Sequence, residues 1–438
     1  MVAACVTLLY CLFLFQGYQK LFRDSDAGWH IRNGESILAT GTLPHTDPYS
    51  FTRGGQPWYA WEWLSDVVSG ALHRAGGLNA VALFYGAVIA FGVWVWFRLH
   101  WALGGNFLIA CAMAPLLLST CNIHWLARPH VIGWLFVLWA MFPRTGVAET
   151  GAMTAVWANV HPSFFFAALR AKEVRWRWAT VAIVLVAPIL NPYGFGLYAH
   201  VGRYLTDSEL LSRIGEFQSF DFHAEGSGQI IATVMVGMMG GALAFAQKRY
   251  AHFAIAVAIT AMALRSARGL PLCALLLLPI ANAAMVPYCG KAFRRYADNL
   301  RAIDARCSGM WVAPVVLVGA WFLMPQAGFP KDQFPVAAYE HIPAGARLFA
   351  PDKYGGYLIY RSNGAMKVFF DGRSDLYGAA FLKDYARMTQ VRPGWQELWT
   401  RWGFTAAVMP NDYPLVVALQ QRGWRVVYRD GTATLLER

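Results

Sequence analysis

Apolar residues run through this chain in blocks separated by short polar stretches, and the length of each block limits what it can be. A helix that crosses a bilayer needs about 20 apolar residues, with about 17 to 25 the usual range. Residues 2–19 qualify at the short end, and 78–97, 105–121, 130–143, 178–191, 229–247, 251–264, 269–288 and 309–325 follow. Several are short, which suits helices packed inside a bundle rather than facing lipid all round. Segment 2–19 lacks a basic start and a small-residue cleavage site, so the pattern predicts an uncleaved first helix rather than a signal peptide. The stretch 150–171 is apolar too, but Asn159-Val160-His161-Pro162 interrupts it. Proline removes a backbone donor and restricts the residue before it. The chain should therefore turn there as a re-entrant hairpin or two half-helices, exposing Asn159 and His161 at a cavity.

Charge tests that arrangement. Arg170, Lys172, Arg175 and Arg177 form one basic run, Lys248 and Arg249 a second, and Lys291, Arg294, Arg295, Arg301 and Arg306 a third. With the N-terminus inside and 150–171 re-entrant, all three fall on the cytoplasmic side, as the positive-inside rule requires. The same parity puts loop 21–77, loop 192–228 and the tail 330–438 outside.

After Pro330 the pattern changes to short apolar runs alternating with amphipathic pieces. It predicts strands at Ala346–Ala350, Lys367–Phe370, Thr405–Met409 and Arg425–Tyr428, and helices at 378–389, 395–402 and 414–422. The fold expected is an α-helical polytopic membrane bundle over 1–328, of about 9–11 crossings including the hairpin. A small C-terminal extracytoplasmic α/β domain over 329–438 follows it.

Composition agrees. Of 438 residues, 57% are hydrophobic and 14% charged, against about a quarter charged in soluble proteins, which excludes a disordered chain and argues against a soluble enzyme. The excess of 37 Lys+Arg over 25 Asp+Glu, a net charge of +12, sits in runs between apolar segments. No zinc-finger spacing or stacking platform accompanies it, so nucleic acid is not an expected partner. The seven cysteines form no CxxC and no metal spacing. No P-loop, no dinucleotide-binding GxGxxG and no HExxH occurs.

Chemistry concentrates in loop 21–77. It opens Asp24-Ser25-Asp26-Ala27-Gly28-Trp29-His30, continues to Pro44-His45-Thr46-Asp47-Pro48, and ends Trp58-Tyr59-Ala60-Trp61-Glu62-Trp63. Carboxylates at the outer end of a membrane helix are costly unless solvated or used, and desolvation raises their pKa toward that of a general base. If a helix begins near Asp26, then Asp26 and His30 share one face, with Asp24 in the preceding turn. Each feature has a plainer alternative. Ser25 or Asp26 would serve as a helix N-cap, Asp47-Pro48 as a turn opening, and Trp58, Trp61 and Trp63 as an interface belt. Arg128-Pro129-His130 would serve as a helix end at the headgroups. Glu62, between two tryptophans, wants a partner. Arg265 and Arg268 lie on the side called external, against the positive-inside trend, where a bound anion would explain them. His and Asp density would permit a divalent metal, although no ligand spacing argues for one.

These residues resemble the GT-C superfamily of membrane glycosyltransferases, which use polyprenyl-phosphate sugars. The strings Asp26-x-x-Trp29-His30-x-x-x-Gly34, Pro44-x-x-Asp47-Pro48-x-Ser50-x-Thr52 and Trp58-x-x-x-Glu62-Trp63-Leu64 are similar to a group of bacterial GT-C-like proteins. So are Trp157-x-Asn159-x-His161, Asn191-Pro192-Tyr193-Gly194, Tyr354-Gly355-Gly356-Tyr357 and Asp371-Gly372-Arg373. The resemblance implies a bacterial inner-membrane enzyme with a first-loop aspartate, Asp26 or Asp24, as base. It implies inverting transfer from a polyprenyl-phosphate donor to a glycan, lipid or protein acceptor, with Arg128, Arg268 and Arg265 as phosphate clamps. Where better-known members have an adjacent acidic pair, this chain has Asp-Ser-Asp. A transporter of lipid-linked sugars would instead show paired interruptions in two related halves. A membrane scaffold would not depend on Asp26 or His30.

Overall fold

The first apolar helix is shorter than its hydropathy block. It runs Val2–Leu14 and stops before Gln16, whose φ of 59° breaks the helical run. The computed structural model describes residues 1–143, 146–172, 177–306 and 311–438, so Arg175 and Cys307 lie outside the described residues. Among the described residues, four helices are long and apolar enough to cross a membrane: Trp63–Ala102, Phe107–His124, Ser227–Ala246 and Gly269–Tyr288. A bent pair, Arg177–Leu190 with Phe195–Thr206, turns through 103°. Four shorter apolar helices complete the set: Val2–Leu14, Pro129–Met141, Tyr250–Arg265 and Val312–Leu323. The bundle is polytopic and helical. Gly269–Tyr288 is its most enclosed helix, while Val315, Val318 and Phe322 on Val312–Leu323 leave wide apolar faces open.

The interrupted stretch is a hairpin. Helix Val147–Val160 ends at His161-Pro162, and the tight-helical segment Pro162–Lys172 runs back. Its far end is fixed where Arg170 donates to the carbonyls of Trp139 and Phe142. Its tip is fixed where Ser65 Oγ donates to the carbonyl of Val160 and Trp63 Nε1 to Asn159 Oδ1. Arg170 therefore marks one end of the bundle, and Trp63 the other.

The tail carries four strands, β1 (Leu348–Phe349), β2 (Ala406–Pro410), β3 (Arg425–Arg429) and β4 (Ala433–Glu437), in the order β1-β2-β4-β3. The pair β1/β2 is parallel and the others antiparallel. Helices Ser374–Thr389, Trp395–Trp402 and Pro414–Gln420 match expectation, while helix Asp352–Arg361 and strand β4 were not foreseen. The expected strand Lys367–Phe370 is not in this sheet. It pairs with the first loop instead: Phe51 N–H donates to the Val368 carbonyl at 3.1 Å, and Val368 N–H to the Tyr49 carbonyl at 3.0 Å.

Helix Asp352–Arg361 lies across helix Asp26–Thr40 at a contact only glycine permits. A Cβ on Gly28 would strike the Gly356 backbone, and one on Gly356 would strike the backbone of Ser25. One apolar cluster consequently runs from Leu12, Leu21 and Phe22 of the bundle to Tyr354, Leu358 and Leu435 of the tail. Beside it, buried Arg373 donates through Nε and Nη2 to both oxygens of Asp371, at 2.8 and 2.6 Å, and its Nη1 lies 2.8 Å from Asp47 Oδ1. Its guanidinium also stacks 4.7 Å from the Trp58 ring.

Breaking a buried ion pair from one side costs about 3–5 kcal/mol, because the abandoned charges stay buried. Arg373→Ala should therefore lower the melting temperature of the purified protein far more than Arg361→Ala, whose Glu340 pair is exposed. Cysteines placed at Lys248 and at Gln420 in a cysteine-free background should label from opposite sides of the membrane.

Candidate active site

Two local rules place the central cation. Arg128 precedes Pro129, so its backbone is held extended (φ −136°, ψ 155°) at the start of the Pro129–Met141 helix. That throws the side chain across the opening of the Asp26–Thr40 helix. Asp24 Oδ1 accepts the Asp26 N–H at 2.9 Å, serving as that helix's cap, while Ser25 makes no capping bond. Asp24 Oδ2 and Asp26 Oδ2 then receive Arg128 Nη1 and Nη2 at 2.7 and 2.9 Å.

A third carboxylate joins them. Glu216 Oε1 lies 3.3 Å from Arg128 Nη1, and Glu216 Oε2 accepts Arg268 Nε at 2.6 Å. The Glu216 carbonyl also accepts from Ser266 Oγ, tying its turn to the segment that carries Arg268. The chain Asp24/Asp26–Arg128–Glu216–Arg268 lies on the wall of a cavity of about 1500 Å³ between the bundle and the tail.

The same surroundings treat these carboxylates differently. Burial pushes Asp26 up to about 7, with Arg128 opposing and Asp24 reinforcing the rise. Glu216 is pushed up by burial, but Arg268 and Arg128 together outweigh that and hold it below the usual carboxylate range. Gly372 of the tail abuts the Asp26 carboxylate, where a Cβ would collide with both oxygens.

A second polar chain stands deeper. His30 Nδ1 is 2.6 Å from Asp66 Oδ1, and Asn33 Nδ2 donates to Asp66 Oδ2 at 2.6 Å. His30 Nε2 lies 3.8 Å from Glu62 Oε2, and His161 Nε2 lies 3.6 Å from Glu62 Oε1. Burial, and then Asp66, push Glu62 up to about 8, while burial keeps the His30 imidazole neutral by holding its pKa well below the ordinary value.

Of the residues singled out in sequence, Asp24, Asp26, Trp58, Glu62, Arg128, His130, His161 and Arg268 line the one cavity. His30 is buried behind the wall, stacked on Trp29. Asp26 and His30 do share a helix, but Asp26 turns to Arg128 and His30 to Asp66. Besides His30, four residues lie off the cavity wall. His45 is exposed with its ring edge on Tyr193, and Asp47 is buried under Arg373. Asn159 braces Trp63, and Arg265 is exposed at its helix end. Glu216, Asp66, Asn33, Asp371 and Arg373 were missed as site components. Asp371 and Arg373 did stand in the Asp371-Gly372-Arg373 string, and Asp66 stands four residues after Glu62 on the helix that Glu62 precedes. Among the described residues, no three His, Cys, Asp or Glu side chains are grouped to hold a metal ion.

The site is thus carried by a polytopic helical bundle with a hairpin and a small four-stranded C-terminal α/β unit. No protein-family model and no curated protein matches the chain. Among solved structures it is similar to the Archaeoglobus fulgidus oligosaccharyltransferase in its apo form, with a TM-score of 0.56 and 11% identity over 93% of this chain and 69% of that one. At that identity the likeness establishes the fold and leaves the chemistry to the site.

Glu62 supplies a pH test. A carboxyl whose pKa rises on folding binds more protons folded than unfolded, so stability falls as pH climbs from the unfolded value toward about 8. The melting temperature should fall between about pH 5 and pH 8, and Glu62→Gln should flatten that slope by removing the titrating group. An unchanged slope in Glu62→Gln would show that Glu62 titrates normally.

Proposed function

We propose that this chain is a membrane glycosyltransferase that moves a sugar from a polyprenyl-phosphate donor to an extracytoplasmic acceptor hydroxyl, with inversion. The observation that carries the proposal is Asp24 and Asp26, capped together at one helix start and facing Arg128 on the wall of a large cavity. The fold likeness to an oligosaccharyltransferase supports it. In this reading the N-terminus is cytoplasmic and the tail is outside, because that parity puts the three basic runs of the sequence on the cytoplasmic side.

Asp26 is the base. Its raised pKa, about 7, poises it to accept a proton at neutral pH. The acceptor oxygen attacks the anomeric carbon as its proton passes to Asp26. The bond from that carbon to the phosphate oxygen breaks, and lipid phosphate leaves with the electron pair. A phosphate leaving group needs little protonation but does need cations. Arg268, whose Nε and Nη2 edge is taken by Glu216, offers its remaining Nη1, with Arg128 beside it. Glu62 on the cavity wall, with His30 buried behind it, holds a second proton in reserve.

A transfer assay in membranes with a panel of radiolabelled polyprenyl-phosphate sugars tests this. Asp26→Asn should lower the rate about 10²- to 10⁴-fold, the usual cost of losing a general base. Asp24→Asn keeps the capping oxygen and should cost less. The wild-type rate should rise with pH through about 7 as Asp26 loses its proton. A normally folded Asp26→Asn protein with the wild-type rate refutes the assignment, and an inactive Asp24→Asn with active Asp26→Asn moves the base to Asp24.

A further inference from the structure

Three carboxylates from two distant parts of the chain converge on one point. Asp24 and Asp26 come from the first loop, Glu216 from the loop that follows the bent helix pair, and all three lie within 3.3 Å of Arg128 terminal nitrogens. Carboxylates buried together repel one another and need a counter-charge between them. A hard divalent cation is the usual solution, and oxygen ligands from separate loops are its usual setting. Here that space is already filled.

The filling is built, not incidental. The residue before a proline has little conformational choice, so the Arg128 backbone cannot swing away freely. Arg128 Nη1 is shared between Asp24 and Glu216, and Nη2 goes to Asp26, so both terminal nitrogens are committed. Glu216 is held from behind by Ser266 and by Arg268, which stacks 4.5 Å from the Phe217 ring. Among the described residues no three His, Cys, Asp or Glu side chains are grouped to hold a metal ion, and that includes Asp24, Asp26 and Glu216 as they stand around Arg128.

We infer that Arg128 stands where a divalent cation would otherwise sit, so that the site carries its own cation and takes no metal. Glu216 thereby becomes the third member of the carboxylate set and positions Arg128 against Asp24 and Asp26. Resting on the proposed transfer reaction, the inference also means that the leaving phosphate is met by guanidinium groups alone.

Binding of Mn²⁺ to the purified full-length chain, read by electron paramagnetic resonance, tests this without any sugar donor. Wild type should bind no Mn²⁺ that depends on Glu216. Arg128→Ala should gain one Mn²⁺ per chain, and Arg128→Ala/Glu216→Gln should lose it again. Arg128→Gln, which keeps bulk and donors, is carried in parallel and should gain a weaker site, with thermal melts confirming that each variant folds. Wild-type binding of one Mn²⁺ that Glu216→Gln abolishes overturns the inference, and needs no arginine variant. So does a folded Arg128→Ala chain that binds none. A second arm separates this from the functional proposal: transfer, where detected, should be unchanged by a chelator. Absence of transfer with every donor counts against the enzyme reading and leaves the Mn²⁺ result standing.

Discussion

Backbone contact between two short helices, through Gly28 on one and Gly356 on the other, sets the distance between bundle and tail. Any side chain at either position would separate them. Because they touch, Gly372 reaches the Asp26 carboxylate and Arg373 reaches Asp47 and Trp58. The tail is therefore a wall of the site as well as a folded unit with its own apolar cluster around Phe369, Trp399 and Leu419. Separation of these helices would open the cavity along its length and leave Arg373, Asp47 and Asp371 to water.

The electrostatics follow from how many cations each carboxylate can reach. Glu216 touches two arginines and is held ionised, whereas Asp26 shares one arginine with Asp24 and is pushed toward protonation. The burial penalty acts on both, so the number of partners decides the outcome. Among the described residues, the ion-pair partners of Glu62 within 4 Å are two neutral imidazoles, a second carboxylate stands nearby, and it is raised further still. One cavity thus holds carboxyl groups whose proton affinities are pushed well apart, which is the arrangement acid–base chemistry needs.

The parts of this architecture legible in sequence are those written in local pattern. The break at His161-Pro162, the helix starting at Asp26, and most tail helices obey proline rules and periodicity. The first helix was read too long, because hydropathy continues past Leu14 while Gln16 adopts a left-handed backbone that apolar content does not encode. Lys367–Phe370 has the composition of a strand, and it does hydrogen-bond as one, but to residues 49–51 rather than to the tail sheet. Composition names no partner more than 300 residues away. Glu216 fails for the same reason. Nothing around Gly215-Glu216-Phe217 marks it, and its role comes entirely from the turn that Ser266 and Arg268 hold in place. His45 was singled out within the first-loop string and Arg265 for its place on the external side, and the structure puts both at exposed positions off the cavity lining.

The cavity lining mixes apolar patches with charged and polar ones, and the mixture bears on what can occupy it. At the bundle end it is walled by Trp134, Val137, Phe165, Phe166 and Leu272, and at the tail end by Asn411, Asp412, Tyr413 and Thr432. The arginine–carboxylate chain belongs to the same continuous wall. A wholly polar ligand would waste the first surface, and a wholly apolar one would strand the charges of the chain. A molecule with an apolar tail and an anionic head would satisfy both the bundle end and the arginines, leaving the tail end open to a polar partner. In the reading proposed above, those two occupants are a lipid-linked donor and a hydroxyl acceptor.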